Sequence, residues 1–313
     1  MELWRGLRPP RPSHRGAIVT IGSFDGIHLG HQALIEASCA EARRRQRSAV
    51  MLSFEPMPRE FLQRNDPPAR LTNFRERWRT LARSGLDALW LLRFDERLRN
   101  LGGEAFVAIL TQHLAVSVVV VGHDFRFGRD GGADVDLLRR AGRRDGFEVT
   151  VIEPVQLGED RVSSSALRAA LATHDLSQAA RLLGRPYSLM GRVVQGNQLG
   201  RTLGFPTANI RLKRRRIPLW GIYAVRVHGL GGQPRVGVAS LGTRPTVGGQ
   251  EPLLETYLLD WSGDLYGREL EIEFVAHLRE ERRFESLEAM RLQMHIDVAQ
   301  ARERIGEDGR KTT

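Results

Sequence analysis

The chain holds a single cysteine, Cys39, among 313 residues, so no disulfide can close within it and a small cystine-stapled scaffold is excluded. Long apolar runs are missing too. The densest, Ala115 to Val121, falls far short of the roughly 18 residues that suggest a membrane-spanning helix, and it reads as a buried strand. No apolar core followed by small residues stands near the N-terminus, so a cytoplasmic protein without membrane attachment is expected. There is no repeat of fixed period, which excludes a solenoid, and no low-complexity tract longer than Lys213-Arg214-Arg215-Arg216. That charge run reads as a solvated loop between strands. Acidic residues are the scarcer charged class, 37 Asp plus Glu against 47 Lys plus Arg, for a formal charge of +10. The excess attracts phosphate-bearing ligands of any kind without choosing among them.

What is present is a folded composition, 41% hydrophobic and 27% charged, on a chain long enough for two domains with their own cores. Strands are expected at Ala17–Ile21, Ala49–Phe54, Ala88–Leu92, Val118–Val121 and Phe147–Ile152. Helices are expected after Gly30 and over Asn73–Arg83, Gly103–His113 and Asp134–Arg144. Continuous apolar strands spaced by helices require a parallel sheet covered on both faces, a doubly wound α/β domain. On the helix after Gly30, the residues Leu29, Ala33, Ala37 and Ala40 share one face.

Two short helices, Ser165–Ala172 and Asp175–Leu183, precede the punctuation Gly184-Arg185-Pro186. Strand-like runs then follow without intervening helices: Ser188–Gln195, Gly221–His228, Arg235–Leu241, Leu253–Trp261 and Glu269–Val275. A closing helix over Ser286–Ile305 completes the pattern of a small antiparallel β-barrel with a helix packed on it. The boundary falls at the punctuation, giving domains 1–185 and 186–313.

The first strand runs directly into Gly22-Ser23-Phe24-Asp25-Gly26-Ile27-His28-Leu29-Gly30-His31. A strand, a glycine-rich turn and a helix N-terminus make an anion site, because glycine lets the backbone come close and free N–H groups point at phosphate. His28 and His31, three apart with Gly30 between them, can aim at one anion and donate to phosphate oxygens as charge shifts to a leaving pyrophosphate. A zinc site competes, but a lone cysteine and the lack of further clustered ligands weaken it. Gly122-His123-Asp124-Phe125-Arg126-Phe127-Gly128 follows a buried strand and so lies at a carboxyl edge, where open α/β sheets place ligands. Asp124 can orient a ligand there, and Phe125 and Phe127 are either core residues or a stacking platform. Ser163, Ser164 and Ser165 at a helix start, with Arg168 one turn on, offer hydroxyls, backbone donors and a guanidinium to an anion.

In the second half, Gly191, Gly196, Gly200 and Gly204 permit a backbone wrapped around phosphates, and Arg201 adds charge. Phe205-Pro206-Thr207-Ala208-Asn209 follows, and Thr207 with Asn209 supplies two neutral oxygens of the kind Mg²⁺ accepts beside water and phosphate. Glu255 lies in a strand whose neighbours Leu254, Leu258 and Leu259 suggest burial, a setting that can turn a carboxylate into a general base; a cross-strand ion pair is the alternative.

These motifs together resemble the bacterial bifunctional riboflavin kinase/FMN adenylyltransferases. Gly-x-Phe-Asp-Gly-x-His-x-Gly-His, Ser53 to Phe61, Val121 to Gly128 and Val162 to Arg168 are similar to that family's nucleotidylyltransferase module. Gly191 to Asn209, Gly237 to Thr246, Leu254 to Asp260, Asp264 to Gly267 and the tail from Phe284 are similar to its flavokinase module. The resemblance implies a Rossmann-like adenylyltransferase followed by a riboflavin kinase barrel, with ATP, riboflavin and FMN as small-molecule substrates, FAD as product and Mg²⁺ as metal. No nucleic-acid or membrane partner is implied, and the oligomeric state is left open.

Residue by residue, the resemblance implies Glu255 as the base for the riboflavin 5′-hydroxyl, and Thr207 and Asn209 as holders of metal and phosphate. It implies His28, His31 and Arg168 in adenylyl transfer, and ATP contacts from Gly22, Phe24, Asp25, Gly30, Asp124, the run Ser163, Ser164 and Ser165, Gly191, Gly196, Gly200 and Arg201. Flavin contacts fall to Phe125, Phe127, Arg244 and Leu258. Met57, Ser240 and Tyr257 depart from the histidine, asparagine and histidine common at those places. Two alternatives stay open: a nucleotidylyltransferase for another phosphorylated metabolite, and a flavin- or nucleic-acid-binding regulator with one module inactive.

Overall fold

A computed structural model describes residues 1–7, 11–196, 200, 203–246 and 249–311. The chain divides into two compact units, Met1–Pro68 with Arg77–Ser163, and Ala69–Glu76 with Ser164–Thr313. The division of contacts therefore runs earlier than the punctuation at residues 184–186. The helices α7 (Ser164–Ala172) and α8 (Leu176–Leu183), expected at the end of the first domain, are grouped with the second.

In the first unit β1 (Glu2–Arg5), β2 (Ile18–Ile21), β3 (Ala49–Glu55), β4 (Ala88–Arg93), β5 (Val118–Gly122) and β6 (Glu148–Ile152) form one sheet in the order β1-β4-β3-β2-β5-β6. Every pairing is parallel. The apolar runs explain this: β2 and β3 are buried along nearly their whole length, as strands covered on both faces must be. The chain winds outward from β2 to β3 and β4 on one side, then to β5 and β6 on the other. The switch between β2 and β5 opens a crevice at their carboxyl ends, where ligands bind in sheets of this kind. Strand β1 escapes the sequence pattern because its four residues are half charged, and it pairs at the sheet edge.

The helices are α1 (Leu29–Arg45), α2 (Pro58–Leu62), α3 (Phe74–Leu81), α4 (Glu96–Arg99), α5 (Gly103–Ile109) and α6 (Val135–Asp145). The expected apolar face of α1 is corrected: Ile35, Ser38, Cys39 and Ala42 are buried, whereas Ala40 is exposed. The alanines at 33, 37 and 40 have little surface to hide, so the larger Ile35 and Cys39 set the rotation of the helix.

After the short antiparallel pair β7 (Gln156–Leu157) and β8 (Asp160–Arg161), the second unit closes β9 (Ser188–Val194), β10 (Thr207–Arg211), β11 (Gly221–His228), β12 (Arg235–Thr246), β13 (Gly249–Leu258) and β14 (Glu269–Arg279) into a barrel of order β10-β13-β12-β11-β14-β9. All of its pairings are antiparallel. The final helix α9 (Leu287–Lys311) packs on β11, β12 and β14. Strand alternation sorts the side chains. Ala208, Thr256, Ala239 and Tyr223 form one cross-strand row, Ile210, Leu254 and Leu241 the next, and all are buried inside the barrel. Strand β10, absent from the runs expected from sequence, carries Thr207 and Asn209 on the opposite face.

One expectation reverses here. Arg214 is not solvated: its side chain is 0% exposed, and Nη2 donates to both Glu76 carboxylate oxygens, at 2.6 and 2.5 Å. Nη1 donates to the carbonyls of Arg70 and Leu71, so a residue inside the most basic run of the chain is a core ion pair.

Candidate active sites

In the first unit, the turn after β2 places Phe24 and Ile27 in the left-handed region, at φ 51 and 48, flanking Gly26 at φ 88. Non-glycine residues pay for that conformation, and here full burial of both side chains holds them in it. His28 then caps α1. The backbone N–H of His31 donates to His28 Nδ1 at 3.4 Å, and the two imidazoles stack with centroids 3.7 Å apart and planes 19° from parallel. Gly30 leaves that stack room, since a Cβ there would stand a tight 3.3 Å from His28 Nδ1 and Cε1.

The charge state of His31 follows. Burial first, then the neighbouring His28 and Arg77 charges, push the His31 imidazole well below its ordinary value, so it is neutral near pH 7. His31 Nδ1 is buried without a hydrogen-bond partner among the described residues, and an unpartnered lone pair costs less than an unpartnered donor. The proton is thereby assigned to Nε2 of His31, while the Nδ1 of His28 accepts from the His31 backbone N–H. The two imidazoles thus stand together at the N-terminal end of α1, where the helix favours negative charge.

Arg77 carries no signal in the sequence. It is buried; its Nη1 donates to the Ser23 carbonyl at 2.8 Å and its Nη2 to Glu55 Oε2 at 2.6 Å, tying the glycine-rich turn to the end of β3. No spacing could mark it, because its partners are brought together by the parallel sheet.

Several roles expected in this unit change. Phe24, expected to touch ATP, has a fully buried ring tilted against His31, centroids 5.1 Å apart, so it braces the imidazole. Phe127, expected as a flavin contact, is a core residue, packed on Phe106 at 5.5 Å and stacked with half-buried Phe125 at 5.3 Å. Asp25 is buried, and Gly22 sits where a Cβ would stand 3.2 Å from the Phe24 ring. Asp124 is exposed at the carboxyl end of β5; burial would raise its carboxyl, but the hydrogen-bonded Arg161 guanidinium carries it below the usual range.

The serine run straddles the division of the chain: Ser163 ends the first unit, while Ser164, Ser165 and Arg168 begin the second on α7. Arg168 donates from Nε to the Ala69 carbonyl at 2.6 Å and from Nη1 to the Ser164 carbonyl at 3.3 Å.

In the barrel, register assembles the second constellation. Glu255 stands opposite Asn209 on one side and Ser240 on the other, and Thr207 stands opposite Tyr257. Directly paired side chains on one face lie about 4.5–5.5 Å apart at Cβ, so Thr207, Asn209, Glu255 and Ser240 present one polar surface. Asn209 is only 7% exposed because the Gly196 backbone lies on it: a Cβ at 196 would overlap the carboxamide. A Cβ on Gly200 would overlap the Phe205 carbonyl and stand 3.4 Å from Thr207 Oγ1. Gly196 thus lets the backbone come close to Asn209, and Gly200 lets it come close to the start of β10. Phe205 packs edge-on against Tyr257 and His295, at 5.2 and 4.9 Å, anchoring the start of β10.

Three expectations are corrected in the barrel. Leu258 is buried on the interior face, opposite in parity to Glu255, so its side chain is core. The apolar wall expected beside Glu255 is replaced for the same reason: Leu254 points inward, and the flanking side chains are Asn209 and Ser240. Gly191 sits within β9, where a Cβ would overlap the Arg211 carbonyl and Ile210, so it serves strand packing. Arg201 and the Arg244 side chain lie outside the described residues. Glu281, unmarked by any motif, accepts from Ser240 Oγ at 3.0 Å, and its carboxylate fills the space that a Cβ on Gly242 would take.

Comparison with known proteins finds two families in the one chain. Residues 11–166 match the FAD synthetase family and residues 183–305 the riboflavin kinase family. A bifunctional riboflavin kinase/FMN adenylyltransferase of Pseudomonas fluorescens is 47% identical over 310 residues, covering 96% of this chain and 97% of that one. That of Escherichia coli K12 is 44% identical over 308 residues, covering 98% of each. Among solved structures, a Streptococcus pneumoniae protein described as a macrolide-efflux protein superposes with a TM-score of 0.81 at 29% identity, covering 96% of this chain and 99% of that one. Among the described residues no helix is long and apolar enough to cross a membrane.

Proposed function

The chain belongs to the bifunctional riboflavin kinase/FMN adenylyltransferase family, makes FAD from riboflavin through FMN, and we propose that its two reactions use the two constellations described above. Kinase chemistry is assigned to the segment 186–313 and adenylyl transfer to 1–185. The observation that carries the assignment is the cross-strand row Asn209–Glu255–Ser240 beside Thr207, a base and neutral oxygen donors on one face of the barrel.

In the kinase step Glu255 takes the proton of the riboflavin 5′-hydroxyl as that oxygen bonds to the γ-phosphorus of ATP and the bond to the β-phosphate oxygen breaks, leaving FMN and ADP. Asn209 and Thr207 fit a hard divalent cation, being neutral oxygen donors under a loop that only glycine allows so close. Mg²⁺ held there with water and phosphate would neutralise charge on the transferred group. In the second step an FMN phosphate oxygen attacks the α-phosphorus of ATP and pyrophosphate leaves. FMN is already anionic, so the His28–His31 pair needs only to hold phosphate oxygens in place and donate to them as charge builds. Ser163, Ser164, Ser165 and Arg168 are further phosphate candidates by their motif, and Asp124 and Phe125 line the carboxyl edge where ATP or flavin would enter.

The test supplies each substrate separately with Mg-ATP. Glu255→Gln should abolish FMN formation from riboflavin and leave FAD formation from added FMN within about twofold, whereas His28→Ala should do the reverse, by the 10²–10⁴-fold typical of such groups. Equal loss of both activities in either folded variant would overturn the two-site assignment.

A further inference from the structure

Outside the residues assigned to either constellation, the second unit gathers two histidines and a glutamate. His174 lies at the turn between α7 and α8, and His277 near the end of β14. Their rings stack with centroids 3.8 Å apart and planes 6° from parallel. Glu280 Oε1 is 2.9 Å from His174 Nε2 and 3.8 Å from His277 Nε2, and one ligand atom from each of the three residues falls within 4.8 Å of the others. We propose that His174, His277 and Glu280 form a binding site for a borderline transition-metal cation of the zinc class.

The hydrogen bonds around the cluster support this. The Tyr223 hydroxyl donates to the Trp220 carbonyl at 2.7 Å, so it can offer His174 Nδ1, also 2.7 Å away, only a lone pair. His174 therefore keeps its proton on Nδ1, and in the neutral ring Nε2 turns an unshared pair toward the Glu280 carboxylate. Two acceptors 2.9 Å apart need a cation between them. A second proton on His174 would supply one, but it would place an imidazolium face to face with the His277 ring. His277 Nε2 is itself buried with no hydrogen-bond partner among the described residues, at a spot open only because residue 221 is glycine: a Cβ there would stand 2.9 Å from that nitrogen.

A metal satisfies all three groups together, and the tyrosine is the outer-shell partner that fixes ligating histidines in their tautomer. Two imidazole nitrogens and one carboxylate oxygen select Zn²⁺, Co²⁺ or Ni²⁺ over Mg²⁺ and Ca²⁺, with a fourth position left to water. Parallel rings send their in-plane lone pairs past each other, so binding turns the two imidazoles out of parallel. Both side chains are 22–23% exposed, and the change is a side-chain rotation. Because the ligands come from the α7–α8 turn and β14, bound metal would clamp that turn to the barrel.

The experiment titrates the full-length, metal-stripped chain, free of nucleotide, with Zn²⁺ against a chromophoric chelator and with Co²⁺ followed by its visible d–d absorption. Saturable binding is expected at this site, weakened by at least about tenfold in Glu280→Gln and by about a hundredfold in His277→Ala. Tyr223→Phe should weaken it by about tenfold through the lost outer-shell contact. Glu280 is 67% exposed, so its variant tests the site without threatening the fold. Zn²⁺ should also raise the Tm of the native chain and not that of His277→Ala. Absence of saturable binding would reduce the cluster to a His174–Glu280 ion pair and overturn the proposal. So would binding that none of the three substitutions weakens, which would place the metal elsewhere, for instance on His28 and His31.

Discussion

The substitution Gly196→Ala isolates one requirement of the kinase constellation. Gly196 is not among the glycines at positive φ, so alanine can adopt its backbone conformation and the only obstacle is steric. The added methyl would overlap the Asn209 carboxamide, which is 7% exposed and has little room to retreat. Overpacking a closed site costs about 1–3 kcal/mol. If the native placement of Asn209 must be recovered for each turnover, that cost lowers riboflavin kinase kcat/KM by about 5- to 150-fold. FAD formation from added FMN, which does not use Asn209, should change less than about twofold. The decisive assay is a double-mutant cycle. In an Asn209→Ala background the same methyl meets no carboxamide, so Gly196→Ala should there lose most of its effect. An undiminished penalty in that background would show that the loop glycine acts independently of Asn209, and close approach would no longer explain the need for it.

Two other outcomes follow from the geometry. Arg214→Met leaves the Glu76 carboxylate, 8% exposed and also accepting from the Met190 and Asn73 backbone, without its guanidinium. Urea unfolding of the second unit should show a loss of about 3–5 kcal/mol, most of it restored by adding Glu76→Gln. The neutral, buried His31 gives a pH dependence of known sign: its folded pKa is depressed, so below the unfolded value near 6.5 the unfolded chain binds a proton that the native state refuses. Stability contributed this way is intact above about pH 6.5 and falls by up to about 1.4 kcal/mol per pH unit below it, and urea midpoints of His31→Gln between pH 7.5 and 5.5 should lack that one-proton slope.

The doubly wound sheet is readable because runs such as Ala49–Glu55 are apolar nearly throughout, a pattern that a strand covered on both faces produces. The histidine turn is readable as well, since strand, glycines and helix start are contiguous there. Arg77 and Glu55 are not, because the hydrogen bond joining them spans 22 positions and exists only once β3 and α3 are in place. Arg214 misleads for a related reason: a run of four cations looks solvated until one member finds a buried carboxylate at residue 76.

Sequence alone determined the two modules, their order, and the residue types at each candidate site, because those signals are local in the chain and physical rules act on them directly. Tertiary structure decided which of those residues are buried and which share a surface. It turned Leu258 and Phe127 into the core and set Glu255 between Asn209 and Ser240. Strand register and barrel closure fix the parity of every side chain, and parity is a property of pairing between distant segments, which no single segment carries.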